Sequence, residues 1–419
     1  MGPLPMSTIS RPTGVAADDV SARRGRSYDV VLYGATGFVG RLTARHLTQT
    51  APGARIALAG RDRKRLEALN QELGGGWPLL VVDPADPDQL RTLAVSTAAV
   101  ASAVGRHGLP MARACAVAGT SYADLSGEVP FVRASIDQLH EIAVGTGARI
   151  VHGCGFNAVP SDIGAHLLHE QAQRDGEGSL TETTLILKDL KGGFSGGNLD
   201  SNRAQHRTLK ADPSLRSAIA DPWVLTTVPQ KTTAADVDPS GPFRDHLTKR
   251  WLAPALGGPF NSRLVRRSAS LRSGGYGPGF HYREGMSAGH TFLAPAQAVL
   301  FTFGFATLSF ALTSPVMAPV MDRLLPPGSG PSDKTRRNGR FRMRIYSKTS
   351  TGAMYVATVA AKGDPGYAAT SVMLGESVLS LATDSLSPRG GVLTPAIAMG
   401  NHLSQRLITQ GFEMSIARI

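Results

Sequence analysis

Tyr28-Asp29-Val30-Val31-Leu32-Tyr33-Gly34-Ala35-Thr36-Gly37-Phe38-Val39-Gly40 decides how the rest of the chain is read. An apolar run ends in glycines spaced G-x-x-G-x-x-G and opens directly into a helical pattern, Arg41-Leu42-Thr43-Ala44-Arg45-His46-Leu47. Gly34 lets the chain turn sharply off a strand. Gly37 lets the backbone approach a pyrophosphate, and Gly40 lets the helix pack tightly on the strand, while the helix N-terminus supplies free N–H groups for an anion. Glycine spacing alone is weak. Because this loop follows an apolar strand and precedes a helix, Gly34, Ala35, Thr36, Gly37, Phe38, Val39 and Gly40 read as a dinucleotide-binding loop, the alternative being a purely structural turn.

Strand and helix patterns alternate on from there. Strands are expected at 55–60, 78–83, 98–104, 121–124 and 149–153, with helices at 61–73, 86–96, 109–119 and 131–146. Apolar strands separated by helices of this length predict a Rossmann-type doubly wound parallel sheet over 28–160. Beyond Pro160 the pattern changes. A helix is expected at 161–172, a strand of a different sheet at 181–190, a helix at 201–212, paired strands at 340–347 and 354–362, and two closing helices at 368–383 and 394–411. Residues 213–285 are rich in Pro and Gly and show few periods. Residues 1–27 lack an apolar stretch and read as a disordered leader rather than a signal peptide.

The second strand selects the nucleotide. An NAD-selective site places an acid at its end, to hold the ribose 2′-hydroxyl. Here the chain reads Ala59-Gly60-Arg61-Asp62-Arg63-Lys64. Arg61, helped by Arg63 or Lys64, suits a 2′-phosphate, so NADPH is expected ahead of NADH. Asp83 is a candidate for the adenine amine, or a plain turn residue. Ser102 and Gly105, around the end of the fourth strand, are small enough to let the nicotinamide half pass.

The 419 residues carry a formal charge of +12, gathered at 23–26, 263–272 and 334–344. None of these clusters interleaves aromatics as a single-strand binder does, so no nucleic-acid partner is expected. The two cysteines, Cys115 and Cys154, read as core thiols of a reducing compartment, which points to the cytoplasm, and no Cys/His spacing suggests a metal. One stretch breaks the soluble pattern: no charged residue occurs between Glu284 and Asp322, and 298–314 is a proline-free apolar run. It falls short of the roughly 20 residues of a spanning helix. Three readings stand: a buried or homodimer-interface helix, a helix that dips into a membrane surface or lines an acyl-chain pocket, and a single span. The basic segments 263–272 and 334–344 would suit an anionic lipid surface, placing the protein peripherally on the inner face of the plasma membrane.

Further motifs are Tyr122-Ala123-Asp124-Leu125-Ser126-Gly127-Glu128, Gly155-Phe156-Asn157-Ala158-Val159-Pro160-Ser161-Asp162, Ser195-Gly196-Gly197-Asn198-Leu199-Asp200-Ser201, Gly363-Asp364-Pro365-Gly366-Tyr367 and Gly390-Gly391-Val392-Leu393-Thr394-Pro395. With the glycine loop and Ala59-Gly60-Arg61, the set resembles the saccharopine dehydrogenase-like oxidoreductases, and within them the trans-acting enoyl reductases of mycobacterial lipid biosynthesis. The resemblance runs from about residue 28 to the C-terminus. It implies a Rossmann domain, a second α/β domain with a mixed sheet over 161–367, and C-terminal helices over 368–419 that pack back on the first domain. It also implies an enoyl reductase acting on an acyl chain held by a polyketide synthase, in the making of an envelope lipid or glycolipid.

Arg106-His107 stands where the family more often has Pro-Tyr, and Asn157 where Asp is usual. The chemistry asks for donors to a thioester enolate and a proton for the α-carbon. Tyr276, Asn157 and Ser195 are candidates, although a tyrosine in such a loop is more often a packing aromatic and an asparagine before Pro160-Ser161 more often a turn residue; Asp124 with Glu128 reads equally well as a capping and loop pair. An acidic acyl carrier domain would dock on 263–272 or 334–344, and 285–321 would receive a long acyl chain or meet a membrane. The competing readings are an amino-acid oxidoreductase like saccharopine reductase, against which the long uncharged segment argues, and a catalytically silent, membrane-associated nucleotide-binding protein.

Overall fold

The computed structural model describes residues 25–192, 219–227, 232–255, 257–289, 291–314 and 330–419, with a few single residues between them (210, 216, 316–317, 320 and 323). Strand β1 (Tyr28–Tyr33) explains the first half. Val30 and Leu32 join the core on one face and Val31 and Tyr33 the core on the other, as a parallel strand covered on both sides requires. β2 (Ile56–Gly60), β3 (Leu79–Val81), β4 (Thr97–Ser102), β5 (Ser121–Asp124) and β6 (Arg149–Val151) lie parallel to it in the order β6-β5-β4-β1-β2-β3. Between them run α1 (Phe38–Thr50), α2 (Arg63–Glu72), α3 (Pro87–Ser96), α4 (Leu109–Ala118) and α5 (Val129–Thr146). Asp62 and Asp86 cap α2 and α3 by accepting first-turn N–H groups, which is why those helices begin where they do.

Helix α6 (Val159–Arg174) crosses to a second, mixed sheet. That sheet contains β7 (Leu180–Lys191), β8 (Phe243–Arg244), β9 (Trp251–Pro254), β10 (His281–Ser287), β11 (Arg340–Thr349) and β12 (Met354–Lys362). β7 and β10 are parallel; the other pairs are antiparallel. The remaining helices of this half are α7 (Gly258–Leu271), α8 (Ala294–Thr313) and α9 (Asp333–Asn338).

The C-terminal segment serves both sheets. α10 (Thr370–Thr383) packs on α1 and on β1, β4 and β5. β13 (Gly391–Leu393) then extends the first sheet beside β6. After α11 (Pro395–Ala398) and α12 (Gly400–Thr409), β14 (Glu413–Arg418) closes the second sheet on β12. One core therefore runs from Val30 and Leu32 through Leu374 and Leu403 to Ile345 and Val359.

Three expectations change. The stretch 213–285, read as nearly patternless, contains β8, β9, α7 and most of β10; α7 is obscured in the sequence because its buried face carries arginines. The basic cluster 263–272 is not a docking surface: Arg263, Arg266 and Arg267 are 5%, 1% and 0% exposed. Their guanidinium groups hydrogen-bond main-chain carbonyls of Ile219, Asp236, Tyr282 and Leu225, so they tie the 219–236 segment to the body. Arg26, within the stretch read as a leader, is tied to the first half, donating to the carbonyls of Thr97 (2.6 Å), Ala94 (3.1 Å) and Ala118 (3.0 Å). The helix expected at 201–212 lies outside the described residues apart from Lys210.

Candidate nucleotide and substrate site

The first sheet changes direction of build between β1 and β4, the place where a parallel doubly wound sheet opens a crevice at the carboxyl ends of its strands. A groove of about 980 Å³ lies there, walled by Tyr33, Gly34, Thr36, Gly37, Phe38, Arg41, Gly60, Arg61, Arg65, Pro84, Ala85, Ala103, Val104, His107 and Pro110. Its floor is the glycine loop. Gly34 has φ +80°, and a Cβ on it would sit 2.6 Å from Val104. A Cβ on Gly40 would lie 2.4 Å from the Gly34 carbonyl oxygen. Gly37 occupies the N-cap position of α1 and offers no side-chain acceptor, so the first-turn N–H groups are left to whatever anion enters.

Arg61 and Arg65 form the wall at the end of β2. Among the described residues neither has a carboxylate partner. Arg63 instead pairs with Glu67 at 3.0 Å, and Asp62 is taken up capping α2. Arg65 therefore replaces Arg63 and Lys64 as the partner of Arg61. The groove offers phosphate-binding cations and no acid for a 2′-hydroxyl, which fits NADP(H).

The other cofactor candidates divide. Ala35 and Gly40 are buried and act through packing; Val39 is half-buried beside them. Asp83 is exposed, its Oδ1 accepting the Ala85 N–H at 2.9 Å, so it shapes the turn that presents Pro84 and Ala85 to the groove. Ser102 is fully buried and points toward Tyr122 and Gly108, away from the groove; the wall it was assigned to is made by Ala103 and Val104, because strand alternation sends Ser102 to the opposite face. Gly105, with φ +57°, starts the turn that brings His107 into the wall. Phe38 is held from the second half: its ring meets Tyr367 edge-on at 5.2 Å, with the Arg336 guanidinium 5.4 Å above it.

The catalytic candidates are not brought together. Asn157 is exposed at the carboxyl end of β6, over Gly127. Ser195 lies outside the described residues. Tyr276 is fully buried, packed on His169 and Phe280 with the Arg272 guanidinium 5.6 Å from its ring. His169 stands ten residues into α6, so Tyr276 is about 15 Å along that helix from its N-terminus. Burial also pushes its phenol far above the usual range. It is a packing residue, turned inward by the glycine turn between α7 and β10. Cys115 and Cys154 are buried free thiols, held above their ordinary range by desolvation.

Two buried polar clusters were not legible in the sequence. Asp124 accepts from His152 Nδ1 at 2.9 Å, and His152 Nε2 meets Ser135 Oγ at 2.8 Å, all three fully buried. With no access to solvent this chain locks β5, β6 and α5 together. Around the start of α6, Glu284 accepts from Ser161 (2.6 Å), Tyr282 (2.8 Å) and Asn261 (2.9 Å), while Asp162 accepts from the Ala396 N–H at 2.7 Å and from Ser268. Burial raises the Glu284 carboxyl to about 7 and that of Asp162 to about 6. An acid whose pKa is raised by folding gives stability that is full below its unfolded pKa and is lost as pH rises through the folded value. The melting temperature should therefore fall between about pH 4 and 7, each group contributing roughly 2–3 kcal/mol. Glu284→Gln, with the unpaired Asn261 Oδ1 available to its amide, should flatten the slope; a wild-type curve level over that range would exclude the effect.

Residues 30–151 match the saccharopine dehydrogenase NADP binding domain. The chain is 43% identical over 415 residues to a trans-acting enoyl reductase of Mycobacterium ulcerans, covering 94% of this chain and 99% of that one. It is 40% identical over 413 residues to a trans-acting enoyl reductase of Mycobacterium tuberculosis, with coverage of 94% and 99%. Among solved structures it is similar to saccharopine dehydrogenase (L-Glu forming) from Saccharomyces cerevisiae, at TM-score 0.50 and 13% identity over 94% of this chain and 100% of that one, which speaks to the fold alone. With an NADP-binding half, a mixed-sheet second half and relatives alike over nearly their whole length, the chain belongs to the trans-acting enoyl reductases of the saccharopine dehydrogenase-like oxidoreductases.

Proposed function

We propose that the protein is an NADPH-dependent enoyl reductase that works in trans on an unsaturated acyl chain carried as a thioester by a polyketide synthase, in the making of an envelope lipid or glycolipid. The observation that carries the cofactor choice is the end of β2, where Arg61 and Arg65 face the groove without a carboxylate and Asp62 is occupied as a cap. The names of the relatives support the reaction class. Bound NADPH would supply the hydride. The first-turn N–H groups of α1 would hold its pyrophosphate and the two arginines its 2′-phosphate. His107 in the groove wall would orient a thioester carbonyl or deliver a proton, with Asn157, exposed beyond the end of β6, as the second candidate.

The direct test is NADPH oxidation with carrier-bound and free enoyl thioesters, followed by absorbance. Arg61→Ala is expected to raise KM for NADPH roughly 10- to 100-fold, the worth of a lost charge-assisted hydrogen bond, and to change KM for NADH less than twofold. Equal loss with both nucleotides would remove the 2′-phosphate role, and an absence of turnover with every enoyl thioester would count against the reductase.

A further inference from the structure

Helix α8 is exposed in a way that water does not favour. It has 20 residues and no charge, and only 11% of Ala294–Ala311 is buried. Leu300, Phe303 and Phe310 are 67%, 68% and 68% exposed. Val299, Leu300 and Phe301 follow one another at steps of about 100° around the axis, and all three are exposed. The helix thus protrudes on several sides. The side toward the body carries Ala294, Ala298, Thr302, Phe305 and Leu308, so apolar side chains lie on the inward and the outward sides alike. The threonine hydroxyls are closed on the helix itself, Thr302 donating to Ala298 O at 2.8 Å and Thr307 to Phe303 O at 2.9 Å, so they add little polarity to its surface.

We infer that α8, with the basic group on nearby strands of the second sheet, is a docking surface for an anionic lipid bilayer, which the helix enters from one side. A second copy of the chain would cover one stripe, whereas a helix apolar all round needs an apolar medium. Charge complementarity favours lipid as well. α8 packs on β9, which directly follows Arg250, and Arg250 lies with Lys188 and Arg344 in one cationic group. Burial, with these two neighbours, pulls the Lys188 amine down to about 8, and no carboxylate pairs with Lys188 or Arg344 among the described residues. A full span is disfavoured because both flanks rejoin the second sheet, at β10 and β11. The connecting sequence, with Pro315, Pro319, Asp322, Arg323, Pro326 and Pro327, cannot satisfy its backbone in a second crossing of hydrocarbon.

The test is flotation of the full-length protein with vesicles of phosphatidylcholine alone and of phosphatidylcholine with one-quarter phosphatidylglycerol. Binding to the mixed vesicles is expected, falling at least tenfold in the double variant Leu300→Glu/Phe303→Glu. Lys188→Glu with Arg344→Glu is expected to erase the preference for phosphatidylglycerol, about fivefold per charge. NADPH titration, unchanged in every variant, reports that the fold is intact. Wild-type protein that stays off both vesicle types, or equal binding by wild type and the Leu300/Phe303 variant, overturns the inference. So does a concentration-dependent dimer that this variant abolishes in the absence of vesicle binding.

Discussion

Replacing Gly40 by alanine is expected to weaken NADPH binding about 100-fold, equivalent to about 2.7 kcal/mol, and to destabilise the protein by a further 1–3 kcal/mol. The added Cβ would lie 2.4 Å from the Gly34 carbonyl oxygen and 2.8 Å from that of Ala35. Both are main-chain atoms at the junction of β1 and α1, so no rotamer change relieves the overlap. The helix must lift off the strand, and its N-terminal N–H groups leave the position in which they face the groove. Gly53→Ala is the control: a Cβ there meets nothing within 4 Å, and binding and stability should be unchanged. Fluorescence titration with NADPH and thermal melting measure the two effects. Affinity within threefold of wild type in Gly40→Ala would sink the account of the loop.

Arg267→Ala is expected to cost about 3–5 kcal/mol of stability, as removing a buried charged group with several partners generally does. The guanidinium is fully buried and donates to the main-chain carbonyls of Leu225 and Val392. It thereby joins α7 to the 219–227 segment and to β13, the strand that the C-terminal segment adds to the first sheet. Alanine leaves a cavity and two orphaned carbonyls. Desolvation pulls the pKa of Arg267 down to about 9, a sign of how little water reaches it. Denaturant midpoints should show the loss, with exposed Arg63→Ala as a neutral comparison. An unchanged midpoint for Arg267→Ala would restore the reading of 263–272 as a surface cluster.

That cluster marks the limit of what could be read from the chain. Charge runs are normally solvated, and nothing in Arg263-Leu264-Val265-Arg266-Arg267 announces that the acceptors are carbonyls about 40 residues earlier in sequence and more than 100 later. Tyr276 failed in the same way. Its glycine-rich setting suits a mobile donor, but the turn folds the ring against His169 and Phe280. Arg65, rather than the expected Arg63 or Lys64, lines the groove beside Arg61, because helix phase, not adjacency, decides which side chain reaches it.

The sequence by itself determined the parallel doubly wound first half, the glycine loop with its helix, the basic end of β2 and the kinship of the chain. Those features are local: strand alternation, helix period and the steric demands of a tight turn act over a few residues and leave their mark there. The tertiary structure alone decided that the C-terminal segment completes both sheets and that Asp124, His152 and Ser135 form one buried chain. It also decided that the arginines of α7 are internal struts and that α8 stands out from the body. Each of these depends on pairings across dozens to hundreds of residues. The energy of such pairings comes from burial and from satisfied hydrogen bonds, which no short stretch of sequence records.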